Sequence, residues 1–537
     1  MKKNRLLMIL MPLITLVSLS SCNIIISINS SDGSEEQDTS VTLSMPGYAG
    51  QQITLPMLNK ASDIVSLDST GNQNILVLPI CFSDFPLTTL SLNEKEVTEN
   101  IRKLFFGSKD ETGWESLSSY YQTSSYNKLN LSGEVAPIYT LDKTLLEICN
   151  LTGADPSYDP TYYIVNKASE NFKNTYEGDI TKFDQNKDGY FDAIWMVYLN
   201  PYFNNKTESR YRDWYKKDFI RWTKIKEKLS DLLWAYTYWQ YDNADLANPS
   251  SPVPFVYSWA SYDFMFDGDY MDEEGNHLVD GHTFIHETGH LLGLDDYYNY
   301  NYDDDGTAPI GATDMMDNNI GDHNPYSKYL LNWLTPRYVE KEGEYTLTPF
   351  TNNGDCLLMP LNSSFNDSPF DEYLMFEYYT PDKLNYLDSI TAYDDGPKMI
   401  DQPGVRVYHV DSRLVKYVYS RVNGTYMFSS YTNKYINNST EYCLIGASNT
   451  PSYNMANNQH RLISLLSNQH IKENRYYYQD REDSAANAHD LFVSGSTIND
   501  YTSNKGQKMK YQISFSELNS ESVKITFSLK EENKEVK

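Results

Sequence analysis

The chain has 537 residues, 73 acidic against 44 basic side chains and a formal net charge of −29. That balance excludes a general nucleic-acid binder, which needs a basic face, and argues against broad adhesion to anionic lipid. Hydrophobic residues make up 40% and aromatic residues 14% of the chain, with 46 tyrosines, so there is material for two or three domain cores.

In chain order, Lys2, Lys3 and Arg5 precede an apolar run from Leu6 to Leu19, the pattern of an export signal over residues 1–21. It ends in Leu19-Ser20-Ser21-Cys22, which resembles a bacterial lipobox and implies a diacylglycerol on Cys22. Residues 22–71 read as a flexible tether and lead-in, rich in Ser, Asp and Glu near residues 29–38. No later stretch has the ~18 continuous apolar residues of a membrane-spanning helix. The expectation is therefore a cell-surface lipoprotein outside the cytoplasm, held to the bacterial membrane by lipid. Of the five cysteines, Cys81, Cys149, Cys356 and Cys443 are sparse and irregular. A Cys356–Cys443 disulfide and buried free thiols are equally open.

Ile75 to Phe82 is a continuous apolar run, the pattern of a buried strand. Val97 to Phe106 has helical spacing, and Ser116 to Tyr121 predicts a helix burying Leu117 and one of two tyrosines. Leu129 to Val135 alternates as a strand, and Tyr162 to Phe172 predicts a helix. Next, Asp184-Gln185-Asn186-Lys187-Asp188-Gly189-Tyr190-Phe191-Asp192 sets oxygen donors at alternate positions around a turn glycine. That is the start of a calcium loop, with Asp184, Asn186, Asp188, the Tyr190 carbonyl and Asp192 as ligands; a plain Asp/Asn/Gly turn is the alternative. Its twelfth position is Trp195, so a structural Ca²⁺ loop fits better than a sensor. Ala193 to Leu199 predicts a central strand. Asp213 to Tyr236 has helical spacing with a basic outer face, and Phe255 to Ala260 predicts a strand, an edge strand there being able to pair with an extended peptide.

The chain is organised around His286-Glu287-Thr288-Gly289-His290-Leu291-Leu292-Gly293-Leu294-Asp295-Asp296. On a helix His286 and His290 leave the same face and can share one metal ion, with Glu287 beside them as a base for its water. Gly293 lets the chain turn back in a left-handed conformation, which brings Asp296 to the offset of a third ligand, with Asp295 as competitor. Three protein ligands and an open fourth position describe a catalytic Zn²⁺ site. Beyond Pro336 the texture changes to strands between loops: Tyr345 to Leu347, Cys356 to Met359, Glu372 to Glu377, Val405 to Val410, and a hairpin within Tyr511 to Leu529. His282 and His323 are read as polar surface positions in preference to ligand neighbours.

Together these segments resemble the immune-inhibitor-A-type zinc metallopeptidases, a metzincin-like family. The resemblance is carried by Leu78 to Asp84, by the Tyr-rich stretch from Ser116 to Gly133, and by the Asp184 to Asp192 loop. It also rests on His-Glu-x-x-His-x-x-Gly-x-x-Asp, on Asp314-Met315-Met316-Asp317 as a Met-turn with Met316 as the floor residue, and on Tyr326 to Leu334. It implies an α+β fold: a zincin-like catalytic domain over 72–336, with a mixed sheet and an active-site helix, then a β-rich, sandwich-like domain over 337–537. It implies an endopeptidase acting on extracellular protein or peptide substrates, with Zn²⁺ on His286, His290 and Asp296 and Glu287 as general base. Tyr297 and Tyr298 are candidates to hydrogen-bond the oxyanion, against plain aromatic packing. A monomer is expected. The competing reading is a surface adhesin with a vestigial zinc site.

Overall fold

In the computed structural model the chain is described over residues 67–530, with Val41–Thr42, and without 152–159, 216–225, 227, 301–307, 362–364, 366–367, 395, 421–424, 433, 436–440, 446, 451–459 and 470–484. The export signal, Cys22 and, apart from Val41–Thr42, the tether up to residue 66 lie outside the described residues. The protein is mixed α/β with several mixed sheets, and its chain divides into two compact units. One comprises Ile75–Arg102 and Gly133–Met265; the other Lys103–Ser132 and Phe266–Lys537, along with segments nearer the N-terminus. Among the described residues no helix is long and apolar enough to cross a membrane.

The first unit is built on a sheet in which Gly71–Cys81, Ile194–Tyr198 and Val256–Ser261 run parallel, with Tyr236–Trp239 antiparallel at the edge. Ile194–Tyr198 and Val256–Ser261 are buried along their whole length, which explains why they read as unbroken apolar runs with no alternation. The helix Pro160–Thr175 covers one face with Ile164, Val165, Ala168 and Phe172, packed in one core with Leu78, Ile80 and Met196. Each such fully buried large side chain contributes about 1.5–3 kcal/mol. Two expectations are corrected here. The strand from Val256 is interior, because Tyr236–Trp239 pairs with it and takes the edge. Tyr236, read as the end of a long helix, instead opens that edge strand.

In the second unit a five-stranded sheet has the order Ile463–Leu465, Gly404–Asp411, Glu372–Tyr379, Cys356–Pro360, Arg337–Tyr338. A four-stranded sheet has the order Thr497–Ile498, Tyr511–Ser516, Val523–Leu529, Gly343–Leu347. Leu357, Leu374, Phe376, Val407, Ile513 and Phe527 join the two in one apolar core. The two central strands of the larger sheet are buried on both faces. Their other side carries Glu377, Arg406 and Tyr408, and Arg406 reaches the Thr313 carbonyl at 3.4 Å. The helix Leu117–Ser124 is capped by Ser116 and buries both Tyr120 and Tyr121, not one of them, because each faces a different neighbour. Tyr120 donates to the Gly321 carbonyl and Tyr121 to that of Ile285. Cys81, Cys149 and Cys356 are free and buried, so Cys356 forms no disulfide.

Candidate metal centre

The helix His282–Leu291 carries the histidine pair, and all its residues except His290 are buried. A helix buried on every side lies inside a core, so its polar side chains need partners there. Its end is shaped by glycine. Gly293 has φ +92°, and the Leu294 N–H donates back to the Gly289 carbonyl at 3.0 Å. The chain thus reverses within one turn and returns Asp296 to the histidines. Gly289 has a separate reason: a Cβ there would lie 2.4 Å from the Met316 sulfur. Met316 is fully buried against the helix on this side.

Among the described residues His286, His290 and Asp296 are the group of three or more His, Cys, Asp or Glu side chains whose ligand atoms all lie within 4.8 Å. His286 Nε2 is 2.9 Å and His290 Nε2 3.3 Å from the same Asp296 Oδ1. The other ring nitrogens are engaged: His286 Nδ1 donates to the Met315 carbonyl at 2.7 Å, and His290 Nδ1 to the Leu294 carbonyl at 2.8 Å. A carbonyl only accepts, so it fixes the proton on Nδ1 and turns the Nε2 lone pair toward Asp296. Two lone pairs and a carboxylate oxygen then face one another and repel unless a cation stands among them. A proton on one imidazole is one such cation. Burial works against a charged His290, yet the Asp296 carboxylate outweighs it and raises the imidazole to about 10. Burial likewise opposes ionised Asp296, and the two imidazoles overcome it, holding the acid far below the usual carboxylate range. The same three donors could hold a metal ion.

The Met315–Asn318 turn organises both sides of the group. Asp314 caps it by accepting from the Met316 N–H at 2.8 Å. Its Met315 carbonyl holds His286, and its Met316 carbonyl accepts from Tyr297 N–H at 2.7 Å. Glu287 is buried beside the pair, and burial, joined by the charges of Asp296 and Glu287, raises the Tyr298 hydroxyl well above its ordinary value. Asp295 is also buried but is not in the three-residue group.

The tyrosines near the group differ in their surroundings. Tyr297 is fully buried with its hydroxyl 2.7 Å from Ser327 Oγ, so it packs the core. Tyr300 was missed: its hydroxyl donates to Asp296 Oδ2, and its ring meets Tyr298 edge-on at 5.0 Å. The signal was the Tyr-rich run itself, in which no position stood out. The two outlying histidines are buried, not surface residues. His282 lies between Asp280 Oδ1 at 2.5 Å and Asp388 Oδ1 at 3.2 Å, and between the Trp114 and Tyr393 rings at 4.0 and 4.2 Å. Burial disfavours its charge, but the two carboxylates prevail and raise it to about 10. His323 sits near the rings of Tyr120, Tyr121 and Trp333, and neither ring nitrogen has a hydrogen-bond partner among the described residues. Burial pushes its pKa well below the ordinary value and keeps it neutral.

The Asp184–Asp192 loop lies in the first unit. Asp184 Oδ1 and Oδ2 accept from the N–H groups of Asp188 and Gly189, both at 3.0 Å. Asn186 Oδ1 accepts from Asp188 N–H, Asp188 Oδ1 from Tyr190 N–H, and Asp192 Oδ2 from Gln185 N–H. Gly189 has φ +93°, and a Cβ there would lie 2.3 Å from the Asn248 nitrogen. The turn therefore requires glycine, as an oxygen-rich cation loop does at its sharp bend. A scan against protein-family models and a search of curated proteins each find no match to this chain.

Proposed function

We propose that the chain is a zinc-dependent endopeptidase, similar to the immune-inhibitor-A type, with His286, His290 and Asp296 as the metal ligands. The observation that carries this reading is the convergence of both Nε2 atoms on one Asp296 oxygen while both Nδ1 atoms are tied to carbonyls. Zinc held there would act as a Lewis acid, polarising a peptide carbonyl and lowering the pKa of water toward ~7. Glu287, one residue from the first ligand and excluded from the ligand group, takes the proton of the attacking water on its carboxylate and hands it to the leaving amine. Asp296 places a negative charge where a third imidazole would be neutral, so proton transfer leans harder on Glu287. Tyr300 and Tyr298, beside Asp296, are better placed than Tyr297 to meet the substrate's carbonyl oxygen. The export signal, the lipid on Cys22 and a structural Ca²⁺ in the Asp184–Asp192 loop belong to the same reading and rest mainly on sequence.

The test is Glu287→Gln. It should keep wild-type zinc content by metal analysis and lose about 10²–10⁴-fold of casein hydrolysis, the range of a general base. Casein turnover at the wild-type rate by the Gln variant would sink the assignment.

A further inference from the structure

We infer that Asn449 and Thr450 are positioning residues of the metal centre, holding the loop that carries the third ligand. The inference rests on the metal-site reading above. Asp296 lies beyond the helix, and a side chain on an irregular segment is a dependable ligand only if the backbone on either side is fixed. Three backbone groups just after it are fixed by other parts of the chain. The Tyr297 N–H donates to the Met316 carbonyl. The Tyr297 carbonyl accepts from Asn449 Nδ2 at 2.7 Å, from a residue 152 positions downstream. The Tyr300 N–H donates to Thr450 Oγ1 at 2.9 Å.

Asn449 is itself held. Its Oδ1 accepts from the Ile463 N–H at 2.9 Å, and its carbonyl accepts from Arg461 Nη1 at 2.8 Å. Ile463 opens an edge strand of the five-stranded sheet, paired with Gly404–Asp411. The amide therefore spans from a sheet to the ligand loop, one end donating and the other accepting, and a flip would set like against like at both ends. Asn449 and Thr450 are both 1% exposed, so water does not stand in for either bond. The β-rich half of the second unit thus enters the geometry of the metal site itself.

The test uses the full chain, with Zn²⁺ affinity measured by chelator competition and the visible spectrum of the Co²⁺-loaded protein recorded alongside. Asn449→Asp keeps the oxygen that accepts from Ile463 and replaces only the donor with an oxygen facing the Tyr297 carbonyl. Thr450→Val removes the hydroxyl at nearly constant volume, and Thr450→Ser restores it. Asn449→Asp and Thr450→Val should each weaken Zn²⁺ binding by about 10–100-fold, the cost typical of losing an outer partner. They should also alter the Co²⁺ bands, with Thr450→Ser close to wild type. A purely structural role would lower melting temperature and leave the Co²⁺ spectrum unchanged. If Asn449→Asp fails to fold, the Thr450 pair decides. Wild-type affinity and spectrum in the folded variants overturn the positioning role alone. A wild-type chain that binds no zinc overturns the metal reading and this inference with it.

Discussion

In the Asp184–Asp192 loop the oxygen donors meet backbone N–H groups; in the His286, His290 and Asp296 group the donors meet one another. Both arrangements gather acidic oxygen, and both would be read from sequence as cation sites. The difference is in what happens without a cation. In the loop, the amides satisfy at least one oxygen of each acid. At the helix, the carbonyls of Met315 and Leu294 have taken the Nδ1 protons, and the Nε2 lone pairs point at a carboxylate. Two such lone pairs and a carboxylate call for a cation, and a proton on His290 beside ionised Asp296 is one. On the proposed reading a metal ion would take the place of that proton at the helix, whereas the loop's acids are already met by its own amides.

The largest effect should come from breaking the three-residue group at the helix. Asp296→Ala leaves the two imidazoles in place and removes the shared oxygen. Zinc affinity should fall by more than the ~10–100-fold expected for an outer partner, and peptidase activity should fall with it. Chelator competition measures the first and casein hydrolysis the second. An Ala variant that holds zinc as tightly as wild type would show that another group is the third ligand.

What the sequence makes legible is what local spacing encodes. The pair at i and i+4, the left-handed glycine at 293 and the return of Asp296 all follow from helix geometry and a turn, and the three side chains do meet. The strands from Ile75, Leu129, Ala193 and Tyr511 also lie where their apolar patterns place them. What is not legible depends on partners far along the chain or on atoms every residue has. The carbonyls that orient the imidazoles carry no side-chain signature. Asp388 reaches His282 across 106 positions, so a lone histidine in a polar stretch reads as surface when it is a buried cation. The edge strand from Tyr236 was hidden because Tyr and Trp suit helical spacing as well as a pleated edge.

His282 offers a third case that sharpens the comparison, since here the protein supplies its own cation. The imidazolium bridges Asp280 and Asp388, and Trp114 and Tyr393 cover its faces, an arrangement that favours the charged ring. Its folded pKa, about 10, lies above the unfolded value near ~6.5. A raised histidine adds stability that is complete below the unfolded value and is lost as pH rises through the folded one. Urea unfolding should therefore show stability falling between pH ~6.5 and about 10, and His282→Phe should flatten that part of the profile. An unchanged slope in the Phe variant would assign the pH dependence to other groups.

The smallest effect is expected at the loop, and it is the one that decides whether calcium belongs there. A ligand that binds only the folded state stabilises it by about 2.7 kcal/mol at one hundred times its Kd, which moves the melting temperature of a unit this size by several degrees. Calcium should raise the wild-type melting temperature by about that much. Asp192→Asn is the informative variant, because the amide oxygen can still accept from the Gln185 N–H while the charge is gone. If the acids are held close for an ion, the Asn variant should lose the calcium response and yet be no less stable without calcium, since one like-charge repulsion has been removed. A wild-type protein that melts at the same temperature with and without calcium would identify the segment as a turn whose carboxylates serve only its own amides.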